Sequence, residues 1–187
     1  SDLCLSAFDA LGNPSLLADD VLIYDATGRH PAPAVAVEIA AADKKVTFVA
    51  RDPSIAAEME HHSSITYRKA LAEQEVRVLL EYELVSVGGQ TGQREVVLRH
   101  ALTGREFREI HGQVIVEHGT LPVNDLFDAL RPLSTNDGVT DIKTLVGPAP
   151  LRTPTSTGFE LHRIGDAVSS RSVHAAMLDA LRLGIQY

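Results

Sequence analysis

Cys4 is the only cysteine in the chain, so these 187 residues cannot by themselves hold a disulfide framework, a multi-cysteine zinc site or an iron–sulfur cluster. Within "LCLSAF" it reads as a small buried apolar side chain rather than a reactive thiol. Basic runs are also missing. Seventeen Lys and Arg stand against 25 Asp and Glu, a net charge of −8, which leaves no electrostatic footprint for nucleic acid. No apolar run approaches the ~20 residues of a membrane span. Residues 1–12 contain Asp2 and Asp9 and lack the basic start of a secretory signal, so a cytoplasmic location is expected. Neither a nucleophile–base pair at a strained turn nor an acid–base carboxylate pair is apparent, and catalysis by this chain alone is not expected.

What is present is the composition of an ordinary folded α/β protein, 44% hydrophobic and 22% charged, long enough to bury a core without staples. Val21 to Tyr24 reads as a strand, Ala34 to Ala42 as a short apolar-faced helix and "KVTFVA" at 45–50 as a second strand. Such a βαβ unit implies parallel strands, and their apolar character on both faces implies a buried sheet. A helix over Ile65 to Gln74 follows, then "VRVLLEYELVSV" as strand, turn, strand. "GGQTGQ" at 88–93 reads as a hairpin turn, with two or three further strands to 119 and a turn at Gly104. This antiparallel meander interrupts the βαβ rhythm, which "QVIVEHG" at 113–119 rejoins. "NDLFDAL" reads as a short helix capped by Asn124 or Asp125, and residues 132–157 as mostly irregular. "FELHRIGD" reads as a strand and "SRSVHAAMLDALRLG" as a helix ending at Gly184.

The turn after the first βαβ strand is poor in glycine. A dinucleotide fingerprint uses glycines for a tight turn, for close approach to pyrophosphate and for helix–strand packing. Here Pro31, Pro33 and Ala36 take the three small positions, and proline offers no N–H. Asp25 and Gly28 remain as candidate cofactor contacts, Gly28 because it permits a sharp turn. At the end of the second strand stand Arg51 and Asp52. An acidic residue there suits the ribose hydroxyls of NAD and a basic one the 2′-phosphate of NADP, so the pair leaves that choice open. His61 and His62 lie beside Glu58 and Glu60, but adjacent histidines on a loop or strand point apart and do not converge on a metal.

"VLIYDATGRHPAPAVAVEIA", "VIVEHGTLPVNDLFDAL" and "LHRIGDAVSSRSVHAAMLDALRLG", in that order, resemble the C-terminal half of the Old Yellow Enzyme-related NADH:flavin oxidoreductases. That family includes 2,4-dienoyl-CoA reductase and trimethylamine dehydrogenase. The resemblance covers residues 20–184. It implies a Rossmann-like NAD(P)-type domain with a β-meander over residues 1–120, then the returning strand–helix of an FAD- or ADP-binding domain over 121–187. It also implies an upstream barrel carrying FMN and a 4Fe-4S cluster, outside this chain and partnered with it. In the family the Asp of a Gly-Asp strand end accepts a hydrogen bond from the FAD ribityl chain. This role carries over to Asp166 after Gly165, where a plain helix N-cap is the other reading. The glycine-poor turn favours the amine-dehydrogenase or demethylase branch, in which an adenine nucleotide or nothing occupies the corresponding place. In that branch electrons leave to a carrier such as an electron-transfer flavoprotein. NAD(P)H binding stays an option, and so does a non-catalytic assembly module with a degenerate Rossmann fold. Phe127, Leu130 and Met177 are expected to form an apolar patch that invites pairing, including homo-oligomer formation.

Overall fold

A computed structural model describes residues 3–12, 17–142 and 157–186. The chain divides into two compact units, Ser1–Gly119 and Thr120–Tyr187.

In the first unit β1 (Leu5–Ser6), α1 (Ala7–Gly12), β2 (Asp20–Asp25), α2 (Pro31–Ala41), β3 (Lys45–Ala50), α3 (His61–Glu73) and β4 (Arg77–Leu80) alternate. The antiparallel strands β5 (Tyr82–Gln90), β6 (Gln93–His100) and β7 (Glu106–His111) come next, before β8 (Gln113–Glu117). The architecture is α/β: a parallel sheet in the order β1-β8-β2-β3-β4 and a separate antiparallel sheet β5-β6-β7. Side chains alternate across the strands, so each strand serves two cores. Val21, Ile23, Val46, Phe48 and Ile115 pack against Ala32, Val35, Ala36 and Ile39 of α2. On the opposite face Leu22, Tyr24, Val49 and Val114 pack against Val96 and Leu98 of the meander. Five of the six residues of β2 are buried, its apolar run Val21 to Tyr24 and the closing Asp25. Each fully buried aliphatic or Phe side chain contributes about 1.5–3 kcal/mol.

The meander returns to the parallel sheet through Gly112, where a Cβ would stand 2.8 Å from the Ala18 Cβ. Beside it the buried His111 ring lies between two carboxylates, Nδ1 at 2.7 Å from Asp20 Oδ1 and Nε2 at 3.1 Å from Glu109 Oε2. Lys45 Nζ donates to the other Asp20 oxygen at 2.8 Å, and Arg77 pairs with Glu109 at 2.7 Å. These polar contacts tie the end of the meander to the starts of β2, β3 and β4.

Several boundaries differ from the sequence expectation. Helix α2 begins at Pro31, not Ala34, because first-turn N–H groups have no intrahelical partner and proline forfeits nothing there. Helix α3 begins at His61, so His61 and His62 are its first two residues and not a loop. The hairpin turn expected over 88–93 narrows to Thr91 and Gly92. Glu81 alone, at φ 62°, turns the chain from β4 into β5. Cys4 is partly rather than fully buried; it packs on the meander-side core, and burial pushes its thiol upward.

The second unit holds α4 (Asp125–Leu130), 3-10 turns at Arg131–Leu133 and Gly165–Ala167, and α5 (Val173–Gln186). Asn124 stands at the cap of α4 without capping it; its Oδ1 accepts from Arg163 Nη1 at 3.2 Å instead. Residues 143–156 of the stretch expected to be irregular lie outside the described residues. The expected strand over 159–166 has no ladder in the described residues. Instead the Asn136 side chain stands in for a neighbouring strand, its Oδ1 accepting from Leu161 N and its Nδ2 donating to Leu161 O, both at 2.9 Å. Helix α5 runs through Gly184 to Gln186 rather than stopping at the glycine. No helix among the described residues is long and apolar enough to cross a membrane.

Candidate functional site

The chain leaves β2 through α2 to reach β3 on one side, and returns by β8 on the other. The carboxyl ends of β2 and β8 are therefore the topological switch point, where open parallel sheets take their ligands. Asp25 and Glu117 are register partners there. Ile23 and Ile115, two residues earlier, belong to the helix-side core, so both carboxylates project to the α2 face. Both are buried.

Asp25 folds back onto its own turn. Its Oδ1 accepts from Thr27 N and Gly28 N, each at 2.9 Å, and from the Thr27 hydroxyl at 3.1 Å. Its Oδ2 is buried with no partner among the described residues. Burial pushes the Asp25 carboxyl above the usual carboxylate range, against the pull of the Thr27 and Gly28 N–H groups, and the Asp52 charge adds to the rise. Gly28 has φ +65°, and a Cβ on it would stand 2.8 Å from Asp52 Oδ2. Its carbonyl accepts from Glu58 N at 3.0 Å. Glu117 Oε1 takes Gly119 N at 2.7 Å, so the carboxylate at the end of β8 also folds onto the loop that follows it.

Arg51 and Asp52, equivalent candidates in the sequence, part company in space. Arg51 Nε lies 3.9 Å from Glu83 Oε1 on the meander, whereas Asp52 leans over the Gly28 turn. Helix α2 opens at His30 without a side-chain cap, and His30 Nδ1 lies 3.0 Å from the Tyr67 hydroxyl of α3. Among the described residues no group of three His, Cys, Asp or Glu is disposed to hold a metal ion.

In the second unit Gly165 is buried at φ +57°, and a Cβ on it would meet Ala176 Cβ of α5 at 3.0 Å. Only glycine satisfies both conditions. Gly165 N donates to Asp179 Oδ2 at 3.1 Å, and Arg171 pairs with the same oxygen. That N–H and the Arg171 guanidinium hold Asp179 below the usual carboxylate range. Asp166 is exposed, its Oδ1 within 3.4 Å of Arg171 N. Sequence reading singled out Gly165 and Asp166 but missed Asp179 and Arg171. It also missed Glu117, an acidic residue closing an apolar strand, which was the available signal.

The fold is shared with solved reductases and dehydrogenases. Thioredoxin reductase of T. acidophilum superposes with a TM-score of 0.58 at 15% identity, over 95% of this chain and 54% of that one. Histamine dehydrogenase from Rhizobium sp. 4-9 superposes better, with a TM-score of 0.71 at 15% identity over 97% of this chain and 26% of that one.

The chain matches a C-terminal part of the Old Yellow Enzyme-related flavin oxidoreductases. It is 36% identical over 184 residues to a multifunctional alkene reductase/demethylase of Caballeronia cordobensis, covering 96% of this chain and 27% of that protein. It is 31% identical over 185 residues to a probable N-methylproline demethylase of Rhizobium meliloti, covering 98% of this chain and 27% of that protein. It thus spans about a quarter of the length of these curated relatives. No family model matches.

Proposed function

We propose that this chain is the nucleotide-binding-type region of a flavin-dependent oxidoreductase of the demethylase or amine-dehydrogenase kind. On this reading the second unit contributes part of a site for FAD or ADP. The supporting observation is the Gly165–Asp166 turn: a glycine-only bend presents an exposed carboxylate just ahead of a 14-residue helix. Such a carboxylate has the chemistry to accept ribityl or ribose hydroxyl protons, and Asp179, through Gly165 N, would hold the turn for it. When bound, FAD would relay electrons, whereas ADP would only complete the fold. FMN and a 4Fe-4S cluster would belong to an upstream barrel, and electrons would leave to a carrier such as an electron-transfer flavoprotein. Val173, Met177, Leu181 and Ile185 form an exposed stripe at four-residue spacing on α5, a face suited to packing on the remainder of such a protein.

The test is the adenine nucleotide retained by the longer protein. Wild type should release FAD or ADP on denaturation, and Asp166→Ala should lower that content roughly tenfold, the effect of losing about 1.4 kcal/mol. The FMN content should not change. Equal adenine-nucleotide content in both proteins, or none in either, would contradict the reading. An assembly module is the second reading, favoured by the way Asp25 fills the first unit's turn.

A further inference from the structure

A nucleotide pyrophosphate at the switch point needs N–H donors from the turn after β2 and from the start of α2. The turn's donors are engaged, and of the first three residues of α2 only Ala32 keeps an N–H. Thr27 N and Gly28 N donate to Asp25 Oδ1 at 2.9 Å each, and the Thr27 hydroxyl joins them at 3.1 Å. Pro31 and Pro33 have no N–H, and Ala34 N donates to His30 O at 3.1 Å. Three nearby side chains are acidic like the ligand, with Arg29 the basic residue in the turn itself: Asp25 and Glu117 sit side by side, and Asp52 Oδ2 would lie 2.8 Å from a Cβ on Gly28. The residues present do not fit a dinucleotide.

We propose that Asp25 is the built-in occupant of this crevice. Its carboxyl takes from within the chain the donors that a phosphate would take from outside, and so closes the first unit to pyrophosphate nucleotides, NADH and NADPH included. Asp25 is thereby the specificity-determining residue of the crevice. Pro31 and Pro33 reinforce the exclusion without causing it. The inference holds whichever adenine cofactor the second unit takes, since it concerns only residues of the first.

The test is anion rescue in thermal melts of the 187-residue chain. Asp25→Gly empties the acceptor position and should lower the Tm by roughly 3–10 °C, the effect of losing two or three buried hydrogen bonds. Formate or inorganic phosphate at about 10 mM should recover at least half of that loss by binding the folded form. Wild type and Asp25→Asn should not respond to either anion, because their side-chain oxygens still hold the Thr27 and Gly28 N–H groups. If Asp25→Gly does not fold, amide NMR of wild type and Asp25→Asn decides instead. The Thr27 and Gly28 amide protons should shift as the Asp25 carboxyl titrates, and the same shift should be missing in Asp25→Asn. Stabilisation of wild type by pyrophosphate, NADH or NADPH would overturn the proposal. So would a folded Asp25→Gly chain that no anion rescues, or amides indifferent to the titration.

Discussion

Asp25 and Asp20 bracket the same strand and titrate with opposite consequences. Burial raises the Asp25 carboxyl above its ordinary 3.8, so the folded chain holds that proton more tightly than the unfolded one. Its stabilising contribution is complete below the unfolded value and is lost as pH rises through the folded one. For Asp20, burial also pushes upward, but hydrogen bonds from Lys45 and His111, with their charges, outweigh it and hold the carboxyl below 3.8. That contribution is present above the unfolded value and is lost as pH falls through the folded one. The two windows lie on either side of 3.8 and separate experimentally. Asp25→Asn should flatten the stability profile above pH 3.8 and leave the acid limb in place, as read by chemical denaturation across pH. Loss of the acid limb instead would mean that Asp20 is not held as described. Asp25→Ala, which strips two N–H groups of their acceptor, should cost about 1–3 kcal/mol.

At the scale of elements, α2 and α3 both end without glycine at a position that prefers it. Asp43 follows the last residues of α2 at φ 58°, and Glu75 follows those of α3 at φ 53°. Each is exposed, and each places a negative charge at the negative end of a helix. Asp43→Gly and Glu75→Gly should each stabilise by about 0.5–1 kcal/mol, relieving left-handed strain in an L-residue. Denaturant midpoints of the two single variants and the double variant check this, and an unchanged midpoint in all three would contradict it. These bends were invisible in the sequence because neither residue announces a left-handed backbone. The strands were legible: β3 lies at residues 45–50 as read, since a continuous apolar run bounded by charge has few other solutions. The helix starts were misjudged for a physical reason. Pro31 and Pro33 look like breakers, yet proline is at home in a first helical turn. Around the candidate site, composition exposed the missing glycines at once. That Asp25 would bond its own turn depends on backbone geometry that no pattern of residue types encodes.

For the molecule as a whole, two units of unlike character share one chain. The first closes two cores around a parallel sheet, and the Asp25 carboxyl bonds the turn at its switch point. The second unit's helix α5 keeps Val173, Met177, Leu181 and Ile185 between 59% and 74% exposed, a face that suits a chain spanning about a quarter of its relatives' length. On the proposed reading the first unit excludes NAD(P)H and the second retains an adenine cofactor. The most direct measurement is isothermal titration of the 187-residue chain with NADH and with NADPH. No saturable heat is expected from either, up to about 1 mM, where a dissociation constant would correspond to only about −4.1 kcal/mol. Saturable micromolar binding of either nucleotide, undiminished by Asp166→Ala, would mean that the turn at Asp25 and Gly28 still admits a pyrophosphate, the opposite of what is proposed.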